Sequence, residues 1–490
     1  MRGAFAAGHP LTAQAGARVL KEGGNAVDAA VAAALVSWVA ESPLTGPGAG
    51  GFMLVHRARD RSTRVLDFFT AVPGLGLPKG PRAEMVSVDV DFTSSSTQVF
   101  HVGAASLAVP GAALGLEEGH RAYGSLPWPE LFAPAIELAR AGVELTRPQA
   151  YLHEILDLIL RHSDEGRAIY ERDGRRLSAG DTLVISDLAT TLEVLRDHGA
   201  KELYRGELAR ALVAHVQASG GPITKRDLEE YRVVRRRPVR ADFRGDEFLS
   251  NPPPSAGGTL IAYGLGLLDD AGAPGSAVAI DALARVMRAQ AEASARPRQR
   301  LSKLLDERAV VSSGTTHISV VDGAGNAVAL TASTGSGSGI VVPGTGIHLN
   351  NMIGEFLIAK TPRPGSRLSS GMSPSVVLRD GRARLVVGSA GSLRLRGAVM
   401  QVVVNVVQHG LRVRDAIDRP RVHLEGESLH CEGGHDAVQL RKLEAMGWKL
   451  VRWRRRNLYF GGAAAVEMRA DGTLAAAGDP RRGGAGVVVR

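Results

Sequence analysis

The sequence predicts a layered α+β domain, and three observations carry that expectation. Apolar residues recur at helical spacing through much of the first 290 positions. The last third holds short apolar runs joined by glycine-containing loops, the signature of antiparallel hairpins. The elements come as helices, strands, a helix and strands again, which fits helices stacked on antiparallel sheets better than a parallel βαβ repeat.

In chain order, Leu11, Ala17 and Leu20 give a helix over 11–22 that Gly23-Gly24 ends. Asn25 is placed to cap a second, alanine-rich helix to about Ala40. Phe52–His56 and Arg64–Phe69 read as a hairpin across Ala58–Thr63. Residues 127–220 are mostly helical, with Leu131, Ala135, Leu138 and Ala139 on one face. Asp246–Leu249 is a strand running into the rigid turn Asn251-Pro252-Pro253-Pro254. Helical patterns follow at 259–269 and 278–290. The charged, aperiodic stretch 291–314 reads as an exposed, mobile linker. Beyond it, hairpins are expected at His317–Asp322 with Ala327–Ser333, at Ser375–Arg379 with Arg384–Gly388, and at Ala463–Arg469 with Thr473–Ala477. An apolar helix is expected over 396–409.

Composition narrows the function. The 490 residues are 44% hydrophobic and 22% charged, as in ordinary globular proteins. A net charge of +9 arises from arginines spread along the chain, and aromatics at 4% are too few for a base-stacking surface, so no nucleic-acid partner is expected. The single cysteine, Cys431, builds neither a disulfide nor a thiolate zinc site, and the 14 histidines show no metal-ligand spacing; no metal or cofactor is expected. The N-terminus lacks the pattern of a secretory signal. The longest apolar stretch, Val27–Val39, contains Asp28 and reads as a buried helix, so the expected location is the cytoplasm with no membrane partner.

Two glycine-bearing stretches invite chemistry. Gly46–Gly51 has the look of a phosphate loop, but it precedes a strand and lacks a following Lys-Ser/Thr. The default reading is a tight turn that lets backbone approach another strand. Gly314-Thr315-Thr316-His317 sits where the linker meets a strand. Cleavage before Thr315 would give its hydroxyl a base of its own, an α-amine with a pKa of about 7.7–8.0. Gly314 leaves room for the bent peptide such an attack requires. On pattern alone, an ordinary strand start is the commoner meaning of Gly-Thr-Thr.

A longer string of motifs resembles the γ-glutamyltranspeptidase family of N-terminal nucleophile hydrolases. It comprises Leu20–Ala32, Gly50-Gly51-Phe52-Met53, Val109-Pro110-Gly111, Asn251–Gly258, Thr315–Val328, Gly346–Asn351, Leu368–Pro374 and Asp479-Pro480-Arg481-Arg482. The resemblance implies a four-layer αββα sandwich and self-cleavage between Gly314 and Thr315. The product would be a large subunit, 1–314, and a small one, 315–490, held in one intertwined domain. It implies that Thr315 is the nucleophile and that Ser333 matches a threonine contacting it. Gly391 and Ser392 match the pair whose backbone N–H groups form the oxyanion hole, and Ser369 and Ser370 match the pair that binds a substrate carboxylate.

The departures fall on substrate binding. Phe69 stands where the family carries an arginine for the α-carboxylate of a γ-glutamyl group. Losing one partner of a buried charge pair costs about 2–5 kcal/mol. Either Phe69 packs against the acyl chain, or it is core and another arginine, such as Arg57 or Arg394, approaches instead. A family asparagine falls within Thr334–Ser336, aligned at Gly335. Glu355 aligns with the aspartate that receives the α-ammonium, and the 13 residues 356–368 are too few for the family's lid. The expectation is an enzyme that cleaves γ-glutamyl amides such as glutathione, with hydrolysis favoured over transfer. The alternative is a non-glutamyl acylase, and behind it a non-catalytic relative. The expected partners are a small amide and the two subunits of one precursor; further pairing of such units is compatible with the sequence. His317 is expected to be a structural hydrogen-bonder, and Asp479 and Arg481 an internal pair.

Overall fold

The computed structural model describes residues 2–78, 83–93, 96–269, 272–295, 314–355, 363–391 and 394–490. The elements that position the site are β1 (Gly3–Ala7), α1 (Pro10–Glu22), α2 (Ala26–Ala40), β2 (Gly50–Arg57), β3 (Ser62–Phe68), β4 (Val234–Arg236), β5 (Val239–Phe243), β6 (Asp246–Ser250), α3 (Gly257–Gly266), α4 (Ala277–Ala295), β7 (Thr316–Asp322), β8 (Ala327–Ser333), β9 (Ser375–Arg379), β10 (Arg382–Ala390), α5 (Arg394–Val407), β11 (Gly462–Met468), β12 (Leu474–Gly478) and β13 (Ala485–Val489). One sheet runs β4-β3-β2-β8-β7-β1-β13 and the other β5-β6-β9-β10-β11-β12. Neighbours in both are antiparallel.

Side-chain alternation along each strand sorts the core into two. Ile318 and Val320 of β7, with Val328 and Leu330 of β8, face α1 and α2. Phe52, Leu54, Ala327 and Ala329 face the second sheet, whose far side is covered by α3, α4 and α5. This is the expected αββα sandwich. Every residue of α2 is buried, which explains its nearly continuous apolar pattern. Asp28 is tolerated there because it completes a capping box with Asn25 and accepts from Ser125, with N at 2.9 Å. The start of α2 is tied to the end of β7, since Ala26 N donates to Asp322 Oδ2 at 3.0 Å.

The helices and hairpins read from the sequence are present, with ends shifted by a few residues. Two outcomes differ. Residues 291–295, expected as linker, complete α4; its apolar face continues with Ala293, which packs in a small cluster with Ala256 and Leu260. Residues 296–313 lie outside the described residues. Strand β1 was not anticipated: its five residues are buried in the first sheet between β7 and β13.

The C-terminal segment is pinned by a buried ion network. Arg481 pairs with Asp479 at 3.1 Å and with Glu432, and Arg421 reaches Asp479 at 2.6 Å. The expected Asp479–Arg481 pair is therefore one part of a larger set. Breaking such a buried pair typically costs about 3–5 kcal/mol. Among the described residues, no helix is long and apolar enough to cross a membrane.

Candidate active site

Thr315 immediately precedes β7, near the middle of the first sheet, and is fully buried. The β7–β8 register pairs Thr316 with Ala332, which places Ser333 at the same end, opposite Thr315. Gly314 and Thr315 are joined, so the geometry is that of the uncleaved chain. Ser333 Oγ donates to the carbonyl oxygen of Gly314 and accepts from Gly335 N at 2.8 Å. The hydroxyl is thus aimed at the carbonyl that precedes Thr315. A side chain at Gly314 has no room, because a Cβ there would lie 1.9 Å from the Gly335 carbonyl oxygen.

Gly335, at φ +76, brings two more residues to this point. A Cβ on it would meet Asn351 Oδ1 at 2.0 Å and Glu355 Oε1 at 2.9 Å. Asn351 is fixed by Ser336, accepting from its N at 2.9 Å and donating to its Oγ at 2.6 Å. Glu355 N in turn donates to the Asn351 carbonyl at 3.1 Å. Gly314, Thr315, Ser333, Gly335 and Glu355 are therefore one cluster.

The other expected residues lie around it. Gly50 pairs with Ser333 and presses on Thr70, whose carbonyl accepts from Leu368 N at 3.0 Å. Ser369 and Ser370 follow directly. Both are buried; Ser369 Oγ donates to the Pro254 carbonyl at 2.7 Å and Ser370 Oγ accepts from Met372 N at 3.1 Å. The Gly46–Gly51 turn thus has the role read as its default: Gly48 bridges to Leu349, and Gly51 abuts the Thr331 carbonyl. Gly391 directly follows β10, at φ +128 with Gly461 packed on it, a place only glycine fills. Ser392 lies outside the described residues, as do 356–362 of the shortened lid segment.

The arginine question resolves into core packing. Phe69 is wholly buried and stacks on Phe52 with ring centroids 5.5 Å apart. Arg57 pairs with Asp60 and lies over Tyr123, while Arg394 lies over Tyr459 and donates to its carbonyl at 3.0 Å. Arg367, which was not singled out, donates to the Phe69 carbonyl and to Tyr231 Oη at 2.6 Å.

Two charged residues next to Thr315 escaped the sequence reading. Glu41, just after α2, accepts from Thr316 Oγ1 at 2.6 Å and from Thr12 Oγ1 at 2.8 Å. Burial raises its pKa, and those hydroxyls and the charge of Arg482 pull the other way. Arg482 places Nη1 3.5 Å from the Thr315 carbonyl oxygen. Burial pushes its pKa down to about 10, so it stays a cation at neutral pH. Both line a cavity of about 30 Å³ shared with Gly8, His9, His153 and Thr315, room for one or two waters. Burial holds His9 and His153 down to about 4 and His317 to about 3. His317 is bonded through both ring nitrogens, to Thr331 Oγ1 at 2.7 Å and Ser319 Oγ at 2.9 Å, which is the structural role expected. Cys431 is buried, its thiol pushed up to about 12, far from an attacking thiolate.

The sandwich, with a hydroxyl residue at the head of a central strand, is that of an N-terminal nucleophile hydrolase. The Gamma-glutamyltranspeptidase family model matches residues 12–310 and 275–489, and the chain belongs to that family. It is 32% identical to the glutathione hydrolase proenzyme of Escherichia coli, over 96% of this chain and 88% of that one. It is 33% identical to an acylase proenzyme, ACY 1, of a Pseudomonas species, over 100% and 94%. The cephalosporin acylase of Bacillus halodurans superposes with a TM-score of 0.86 at 26% identity, over 99% of this chain and 95% of that one. The chain is therefore an enzyme of this hydrolase type, and its relatives are made as proenzymes.

Proposed function

We propose that the protein is a self-processing N-terminal-threonine amidohydrolase that cleaves acyl amides through an acyl-Thr315 intermediate and releases the acyl group to water. The observation that supports this most is the Ser333 hydroxyl on the Gly314 carbonyl oxygen, with Thr315 directly after it. In the first step Thr315 Oγ attacks the Gly314 carbonyl carbon. The negative charge forms on the oxygen that Ser333 already contacts. The C–N bond then breaks, the nitrogen takes the hydroxyl proton, and Gly314 is left as an ester on Thr315 Oγ. Water hydrolyses that ester to give the Gly314 carboxylate and a free Thr315 α-amine. In the mature enzyme this amine takes the hydroxyl proton during attack on substrate and returns it to the leaving amine. Ser333 orients the hydroxyl, and the N–H groups of Gly391 and Ser392 receive the substrate oxyanion. The segments 1–314 and 315–490 stay together, because β7 and β8 lie between β2 and β1 of the larger piece.

Two acyl heads compete. A γ-glutamyl head, as in glutathione, is supported by the Glu355 carboxylate beside Gly335 and by the relatives named glutathione hydrolase. A non-glutamyl head, a small acyl group without an α-carboxylate, is supported by Phe69, whose buried stack on Phe52 leaves no arginine at that position, while Arg367, which reaches the Phe69 carbonyl, is held by Tyr231 and Asp67. We favour the second on that observation. The processed enzyme is expected to cleave butyryl-p-nitroanilide at least as fast as γ-glutamyl-p-nitroanilide. The butyryl head lacks both the α-carboxylate and the α-amine, and a preference of about 30-fold or more for the glutamyl compound would restore the first reading.

A further inference from the structure

We propose that Arg482 is a positioning residue that keeps the α-amine of Thr315 in its neutral, proton-accepting form. The inference rests on the reading of Thr315 as the N-terminal nucleophile and adds how its base is tuned. The starting point is a gap in the sheet. Strand β1 pairs with β7 only as far as Ala7 opposite Ile318, so the Thr315 carbonyl lies beyond the last strand partner on that side. Arg482 Nη1 stands there at 3.5 Å. Its approach is built in: a Cβ at Gly462 would lie 2.4 Å from Arg482 Cδ, and one at Gly391 3.8 Å from Nη2. The neighbouring Arg481, locked to Asp479 and Glu432, anchors the turn that presents it. Arg482 Nε has no hydrogen-bond partner among the described residues and is buried.

A residue's own nitrogen and oxygen lie about 3 Å apart, so the guanidinium sits within about 7 Å of the nitrogen that cleavage would free. At an effective dielectric near 20, a unit charge at that range shifts a pKa by about one to two units. A cation disfavours the ammonium form, so the amine titrates below its ordinary 7.7–8.0 and more of it is a base at neutral pH. The other titratable groups facing this point are Glu41 after α2, His9 before α1, His153, His317 on β7, and Glu355 across Gly335; Asp479, itself paired with Arg421 and Arg481, and Arg394 act on Arg482. The three histidines, held to about 4 or below, are neutral between pH 6 and 8. Glu41 and Glu355 offset Arg482 only in their ionised forms, and burial opposes ionisation of Glu41.

The test starts with the processed wild-type protein. The pH dependence of α-amine acetylation on the chain beginning at Thr315, followed by mass spectrometry, is expected to give half-reactivity at about pH 7 or below; a midpoint at the ordinary value of about 7.7 or above would overturn the proposal. The acid limb of kcat/KM for p-nitroanilide hydrolysis is expected to move up by about one pH unit in Arg482→Gln and to stay within a few tenths in Arg482→Lys. An active, processed Gln variant with an unmoved limb refutes the electrostatic role, and so does a Lys variant that moves as far as the Gln one. If no chain begins at Thr315, the nucleophile reading itself fails before any pH is measured. A chain that begins there with an unshifted amine sinks only the present inference.

Discussion

Thr315→Ala is expected to leave one uncleaved chain with no amidase activity. The substitution removes the only atom that our account allows to attack the Gly314 carbonyl, and with it the acyl carrier of the mature enzyme. Thr315→Ser restores a hydroxyl on the same backbone and is expected to be processed. Denaturing gels of the two variants, with p-nitroanilide release from each, make the comparison. Two bands from the Ala variant would assign the cut to another protease and remove Thr315 from the mechanism.

The second large effect is expected at Ser333. Its hydroxyl donates to the Gly314 carbonyl oxygen, on which, in the mechanism we propose, charge develops. Removal of one such donor costs about 10²–10³ in rate. Ser333→Ala should therefore accumulate precursor, with maturation slowed about 10²–10³-fold in a time course of the purified protein. Ser333→Thr, which keeps the hydroxyl and matches the family's residue, should mature normally. An Ala variant that matures as fast as wild type would place the oxyanion donor elsewhere.

How much of this was legible follows from where each interaction comes from. The hairpins were, because a strand, a glycine-bearing turn and a strand are local information, as in Asp322–Asn326, where Asp322 Oδ1 accepts from both Ala324 N and Asn326 N. The helix α2 was, because burial on all sides leaves an apolar run interrupted only by Asp28 and Ser37, with a capping residue before it. Strand β1 was not. Gly-Ala-Phe-Ala-Ala has no β-branched residue, and its state is imposed by β7 and β13, more than 300 positions away in sequence.

The site divides in the same way. Thr315 and Ser333 stand on one hairpin and could be named from motifs. Glu41 and Arg482 could not, since Thr316 and Glu41 are 275 positions apart and Thr315 and Arg482 are 167 apart. The one available signal for Glu41 was a carboxylate directly after a largely apolar helix. Arg482 lay inside a quoted motif, where Arg481 was the residue given a structural role. The fate of Phe69 needed the stack on Phe52, which depends on how β2 and the end of β3 face the second sheet.

The central claim is that this chain makes its own N-terminal nucleophile. Intact-mass measurement of the purified wild-type protein, with N-terminal sequencing of the smaller piece, tests it most directly. The account predicts two chains whose masses sum to that of the precursor plus one water, the smaller beginning Thr-Thr-His-Ile-Ser. A single chain that stays whole on prolonged incubation yet hydrolyses the amide substrate would contradict it.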